Sequence, residues 1–458
     1  MALALFLLVS THCFLYSSAL KTNVPVDDFA GNHSMLVGRS QSAAGCWLPG
    51  LGVPGKDGVV PNEDLKRILK DGFKLFWGGQ QACKDRNKNV TWCKAPRTDP
   101  LLGEHDQEWY AELVDYLKRE FAQTDKSLPI VAAAYDRPIL ADAKSAQIMN
   151  LVCGFLRLNM SKRFVLFAGD QTAYDSYVRH FPNITVVFHP LMTKFAQAMA
   201  ARTNVEYVNR VTKLAVAQMV LDAGRDVIIT DTDIAWLRDS SEVLHASGLD
   251  FAAQPDCPAI NSGFVYYRNV PKTRELLHMT LSTWRESWFC GDNDQYVLTC
   301  GWMRAAIKGL SYKVLPKNSW AIKCQGVNCA CTDSPHVRED TERNTGWSFG
   351  QQMFGIGDGY PYIYHTYGMS GPYMNELDTL AALDMVDVDY QTGQCKMGPK
   401  MNAVDTFAKS CSTGEGGIIH ATCDTHPGGP SCQREPVLAS SIIADLEARS
   451  TLTTFVPP

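Results

Sequence analysis

The chain has 458 residues, 45% of them hydrophobic, with 43 Lys and Arg against 48 Asp and Glu and a formal charge of -5. That composition excludes a disordered chain, and the near balance of charge without a long basic run excludes a nucleic-acid binder held by its field. The length allows one large domain or two to three ordinary ones.

Residues 1–20, MALALFLLVSTHCFLYSSAL, are apolar and are followed by Lys21, the pattern of a targeting segment rather than of a folded element. Ser17 and Ala19 supply small residues at signal-peptidase spacing, so cleavage is expected. The stretch also reaches the ~20 residues that span a bilayer, which keeps membrane anchoring through a single-pass type II segment open. Either way the remainder is expected in the secretory pathway, in the Golgi or ER lumen or secreted. Cysteine usage agrees: setting Cys13 aside from the 15 leaves an even number, clustered as Cys83 with Cys93, Cys324 with Cys329 and Cys331, and Cys411 with Cys423 and Cys432. Sequons at Asn32, Asn89, Asn159 and Asn183 point the same way.

Residues 21–127 begin rich in Gly and Pro (CWLPGLGVPGKDG) and continue charged and aromatic, which reads as a stem or accessory segment. From 128 the texture changes. PIVAAAY is predicted as a strand, 139–158 as a helix, RFVLFAG as a strand, TAYDSYVRHF as a helix and ITVVFHP as a strand. A helix over 206–224 follows, with Val211, Ala215 and Met219 on one face and a stop at Gly224, and then the strand DVIIT. Strands alternating with helices imply an α/β domain with a mostly parallel sheet covered on both faces, in which ligands bind at the carboxyl ends of the strands. Beyond 385 the chain turns polar and Gly-rich, a Cys-containing tail over 386–458. His420, Cys423 and His426 could be drawn there as a metal cluster, but thiols in an oxidising compartment pair with one another.

DVIITDTDIAWLRD, residues 226–239, places two carboxylates at the end of the last of these strands. In an extended segment Asp231 and Asp233 point to one side and Thr232 to the other. Paired carboxylates repel unless a cation sits by them, and Mg-type ions are typically held by one or two carboxylates together with substrate phosphates. Three other readings compete. Asp is common where strands end. An EF-hand would need Gly where Trp236 stands. A glycoside hydrolase needs one neutral acid and one ionised partner across a glycosidic bond, which two Asp on one strand edge fit poorly. The company of the motif favours the cation: PAINSGFVYYRN, read as an Asn-Ser-Gly turn leading into a strand from Phe264 to Arg268, then a helix over 271–285, CGDNDQYVLT, and a His-containing aromatic strand, PYIYHTYGMSGPY.

In that order, LFAGDQTAY, VTKLAVAQMVLDAGRDVIITDTDIAWLRD, NSGFVYYRN, DNDQYVLT and the His-containing strand resemble the nucleotide-diphospho-sugar transferases of glycosyltransferase family 77, over residues 128–385. The resemblance implies a GT-A, Rossmann-type fold with a mixed, mostly parallel sheet flanked by helices, here with disulfide-rich extensions. It implies metal-dependent transfer of a sugar, with retention, from a nucleotide-sugar donor such as a UDP-sugar to a glycan or glycoprotein acceptor. Asp231 and Asp233 would hold Mn2+ or Mg2+, with His365 as a third ligand. Ala134, Tyr135 and Asp136 would meet the nucleotide, and Lys213, with Arg210 in reserve, would reach the donor. Asn261, Ser262 and Gly263 would form the sugar platform, and Asp294 and Gln295 would stand near the anomeric carbon. Family members carry His-x-x-Gly-x-x-Lys-Pro-Trp where this chain reads His-Thr-Tyr-Gly-Met-Ser-Gly-Pro-Tyr. Gly371 replaces the Lys, so another residue must neutralise the donor phosphate. A non-catalytic, secreted carbohydrate-binding protein on the same fold is the competing function that Gly371 motivates.

Overall fold

A computed structural model of the chain describes residues 58–71, 102–135, 143–200, 208–255, 260–286, 294–315, 320–322, 362–365, 380, 385–389 and 394–397. The chain divides into two compact units, Met1–Gln41 and Ser42–Pro458, and every described residue belongs to the second. The apolar N-terminus, Asn32 and Asn89, the three clustered cysteine groups, Asp136, Gly371 and the His420–His426 region lie outside the described residues. Among the described residues no helix is long and apolar enough to cross a membrane.

In chain order the elements are α1 (Asn62–Asp71), α2 (Gln107–Glu120), β1 (Ile130–Tyr135), α3 (Ala143–Arg157), β2 (Phe164–Ala168), α4 (Gln171–His180), β3 (Thr185–Val187), α5 (Pro190–Ala200), α6 (Val208–Asp222), β4 (Val227–Thr230), β5 (Ile234–Trp236), α7 (Ser241–Ala246), β6 (Phe251–Pro255), β7 (Ile260–Tyr267), α8 (Pro271–Glu286), α9 (Asp294–Ile307), β8 (Tyr312–Val314), β9 (Trp320–Ile322), β10 (Ile363–His365), β11 (Val388–Asp389) and β12 (Gln394–Cys395). Local chemistry sets several boundaries. Asp170 caps α4 by accepting from Ala173 N at 2.7 Å. After α6, Gly224 takes φ +89 while its N–H and that of Arg225 bond back to Leu221 and Val220, the arrangement in which a left-handed glycine ends a helix.

Among the described residues, seven strands form one sheet in the order β3-β2-β1-β4-β7-β6-β8. The β1–β2, β2–β3, β1–β4 and β6–β8 pairs are parallel, while β7 runs antiparallel to both β4 and β6. This is the α/β architecture expected, a mixed and mostly parallel sheet between helical layers. The central strands divide their side chains between two cores: Ile130, Ala132, Val227 and Ile229 enter one with α6, α8 and α9, and Val131, Ala133, Ile228 and Phe264 enter the other with α3 and α4. Continuous apolar runs such as VIIT are what burial on both faces demands.

Segments on either side of 128–385 share these cores. Val60, Leu65, Leu113 and Leu117 pack into the first, and Val386, Val388 and Cys395 into the second. The latter stretch is bound to α3 by a disulfide between Cys153 and Cys395 and by a buried ion pair, Arg157 Nε to Asp387 Oδ1 at 2.7 Å.

Candidate functional site

β4 ends at the buried Thr230, and the chain turns at once. Asp231, Thr232 and Asp233 form a turn rather than the extended segment expected. The cause is a change of sheet: β5 leaves the large sheet to join a second one, β5-β10-β9. Trp236 anchors the exit. Its Nε1 donates to Thr230 Oγ1 at 3.0 Å, and its ring lies 5.0 Å from Phe155 and 5.4 Å from Phe264. The next helix starts at Ser241, whose N–H is accepted by Asp239 at 2.8 Å.

The turn still separates its side chains as foreseen. Thr232 donates to Gln147 on α3 at 3.3 Å, while Asp231 and Asp233 face His365, one ligand atom of each lying within 4.8 Å of the others. His365 arrives through strand register: β10 is antiparallel to β5 and pairs His365 with Ile234, the neighbour of Asp233. Its Nε2 lies 3.2 Å from Asp233 Oδ1. Two carboxylates and one imidazole within a few ångströms form a donor set that fits Mn2+ or Mg2+.

Lys213, on α6, is the cation of the site. Its Nζ lies 2.9 Å from Asp231 and 3.1 Å from Asp294, and 3.3 Å from Ser262 Oγ. Ser262 Oγ in turn donates to Asp294 at 2.6 Å. Burial alone would lower the Lys213 pKa, but Asp231 and Asp294 outweigh it and hold the ammonium above its ordinary value. Burial likewise works against the Asp233 carboxylate and is overcome by His365 and Lys213, which keep its pKa below the usual range. Asp294 opens α9, where the helix dipole favours a negative charge. Gln295 is buried beside it, and its carbonyl accepts from Thr299 at 2.6 Å.

Asn261, Ser262 and Gly263 correct the sequence reading. They lie within β7 and not in a turn. Against β6 the register passes from Ala253↔Val265 to Pro255↔Ile260, two steps on one strand against five on the other, so this segment leaves the β6 ladder. It keeps its other neighbour: Thr230 pairs with Phe264, and Asp231 N donates to Gly263 O at 2.7 Å. Gly263 is required there because a Cβ would lie 2.3 Å from Asp231 Oδ2 and 2.8 Å from His365 Cε1. If the cluster holds Mn2+, Gly263→Ala is expected to displace the Asp231 and His365 side chains and to weaken that binding by about 10-fold or more, at a stability cost of about 1–3 kcal/mol. Titration of Mn2+ into both proteins checks this, and equal affinities would show that the close packing is immaterial to the cluster.

The remaining predicted residues divide. Ala134 and Tyr135 end β1, half-buried, and β1 is the parallel neighbour of β4, so they stand on the same rim as Asp231. Arg210 lies on α6 three residues before Lys213, its side chain outside the described residues, as is Asp136. Sequence reasoning passed over Gln254, fully buried on β6, whose Oε1 lies 2.9 Å from His365 Nδ1. A single Gln before a Pro carries no signal of that role.

The profile of the nucleotide-diphospho-sugar transferase family matches residues 159–339, which bears out the resemblance and takes in Lys213, Asp231, Asp233, Asn261–Gly263 and Asp294. A curated relative, the beta-arabinofuranosyltransferase RAY1 of Arabidopsis thaliana, is 24% identical over 214 residues, or 40% of this chain; the chain spans 39% of that protein's length. Among solved structures, mouse xyloside xylosyltransferase 1 in its apo form is similar at a TM-score of 0.36 and 14% identity, covering 52% of this chain and 97% of that one. The PaToxG glycosyltransferase is similar at a TM-score of 0.27 and 10% identity, covering 56% and 88%. The enzyme class expected from the sequence, a glycosyltransferase, agrees with the matched family.

Proposed function

We propose that this chain, whose residues 159–339 match the nucleotide-diphospho-sugar transferases, moves a sugar from a nucleotide diphosphate donor, a UDP-sugar by preference, to a hydroxyl of a glycan or glycoprotein with retention. The observation that carries this reading is the convergence of Asp231, Asp233 and His365 on one rim of the sheet, next to the Lys213, Ser262 and Asp294 network. Asp231, Asp233 and His365 would hold Mn2+ or Mg2+, which when bound supplies Lewis-acid neutralisation of charge on the departing diphosphate.

The side chains have separate tasks. Lys213 keeps Asp231 and Asp294 from repelling one another in the donor-free protein, and its ammonium is the positive group at hand for a donor phosphate where Gly371 supplies none. Asp294, fixed by Ser262 and Lys213, presents a carboxylate to a positive charge developing at the anomeric carbon, a preorganised arrangement that costs no reorientation during reaction. Gln295 stands beside it. Ala134 and Tyr135, with Asp136, receive the nucleotide at the end of β1, and Asn261–Gly263 face the sugar. On this reading the reaction runs in the lumen of the secretory pathway, the N-terminal segment serving as signal or anchor, 21–127 as a stem or accessory segment whose Val60, Leu65, Leu113 and Leu117 pack into the core of the transferase domain over 128–385, and 386–458 as the Cys-containing tail.

The test is turnover. Full-length chain secreted from eukaryotic cells is incubated with a panel of UDP- and GDP-sugars, and nucleotide release is followed with Mn2+ and with EDTA. Release from one UDP-sugar that EDTA abolishes is the expected result. A protein that binds glycan but turns over no donor would be the non-catalytic carbohydrate binder, and metal-independent cleavage of glycan would make it a hydrolase.

A further inference from the structure

His365 has two ring nitrogens, and only one of them faces the carboxylates. Nε2 lies 3.2 Å from Asp233 Oδ1, while Nδ1 lies 2.9 Å from Gln254 Oε1. An amide oxygen only accepts, so Nδ1 carries the hydrogen of that bond, and Nε2 is the ring nitrogen left on the side of Asp231 and Asp233 to ligate a cation. Both partners of the bond are fully buried, and no solvent can substitute for the acceptor.

The backbone accounts for the direction of the Gln254 side chain. Gln254 sits where the β6–β7 register breaks, between Ala253 and Pro255, opposite the Asn261–Gly263 segment that has left the ladder. Irregularities of this kind recur beside functional sites. Ala252, two residues earlier on β6, faces the core that also takes Ile363 and Tyr364 of β10, and strand alternation carries Gln254 to that same face, where it meets the imidazole of the cluster.

Resting on the reading of Asp231, Asp233 and His365 as the cation-binding set, we infer that Gln254 is a positioning residue for the metal, selecting the His365 tautomer and ring orientation in which Nε2 is the ligand. Its effect on the cation passes through His365. Partners of this kind, which hold the second nitrogen of a ligating histidine, typically contribute 10–100-fold in metal affinity.

The experiment measures Mn2+ affinity by electron paramagnetic resonance of the free ion, on full-length protein stripped with EDTA, alongside the melting temperature of the metal-free form. Wild type and Asp233→Ala come first. If wild type shows no Mn2+ binding that Asp233→Ala removes, the cation reading itself fails before any change at Gln254 is examined. With that established, Gln254→Met, which keeps the length and loses the acceptor, is expected to weaken Mn2+ binding about 10–100-fold. Its apo melting temperature should stay within a few degrees of wild type. Gln254→Glu keeps an acceptor and is expected to hold Mn2+ at least as tightly as wild type. The inference is overturned if Gln254→Met binds Mn2+ like wild type, or if both variants weaken binding equally, which would make the site sensitive to packing alone. If Gln254→Met does not fold, a 10-fold loss of affinity in Gln254→Glu overturns it without help.

Discussion

Asp233→Ala is expected to lower kcat/KM for nucleotide-sugar turnover by about 10³-fold or more, the scale on which removing one group that stabilises developing charge acts in a water-poor site. The stability of the protein should change far less. Asp233 is paired with His365, and its removal also relieves the crowding of two carboxylates whose ligand atoms lie within 4.8 Å of the imidazole and of each other. Asp231→Ala makes a less clean comparison, because it also takes one of the two anions from Lys213 and leaves it on Asp294 alone. The informative pair is turnover and melting temperature for Asp233→Ala. A variant that melts several degrees lower yet keeps wild-type turnover would identify the cluster as a structural ion pair.

The second large effect lies away from the site. Asp387→Ala is expected to cost about 3–5 kcal/mol, because it strands Arg157, whose side chain is only 5% exposed, in the interior. In a domain of this size that corresponds to a fall in melting temperature on the order of 10 °C. Arg157 would keep one partner, the Trp236 carbonyl, to which its Nη2 donates at 2.5 Å, and the Cys153–Cys395 disulfide would still hold the strand pair to α3. Unfolding should therefore become easier without release of the segment. Replacing both charges, Arg157→Met with Asp387→Leu, should recover most of the loss, since removing a buried pair together avoids the uncompensated charge. Calorimetry on the three proteins decides it: a single variant melting with wild type would mean that water reaches the guanidinium.

How much of this could be read beforehand depended on the range of the forces involved. The strands β1, β2 and β4 were legible because a strand buried on both faces must be apolar throughout, as IVAAAY, FVLFA and VIIT are. The end of α6 was legible because a left-handed residue there favours glycine, and Gly224 follows. Asn-Ser-Gly misled because those three residues are turn formers by local preference. Here the continuation of β7 beside β4 overrides that preference, and Gly263 serves a close approach to Asp231 and His365 instead.

By itself, then, the sequence determined the α/β alternation, the strand end that carries Asp231 and Asp233, and the residue types that suit an oxygen-binding cation. All of these follow from periodicity and composition within a few residues of one another. The family resemblance pointed to His365, but only the tertiary structure showed it beside them, because the β5–β10 register brings together residues 132 positions apart, 233 and 365. It alone showed that Lys213 bridges Asp231 and Asp294, that Gln254 holds the far side of the imidazole, and that Cys153 pairs with Cys395 across a separation of 242 residues. Contacts of that range are set by how sheets pair and layers pack, and no local pattern in one chain encodes them.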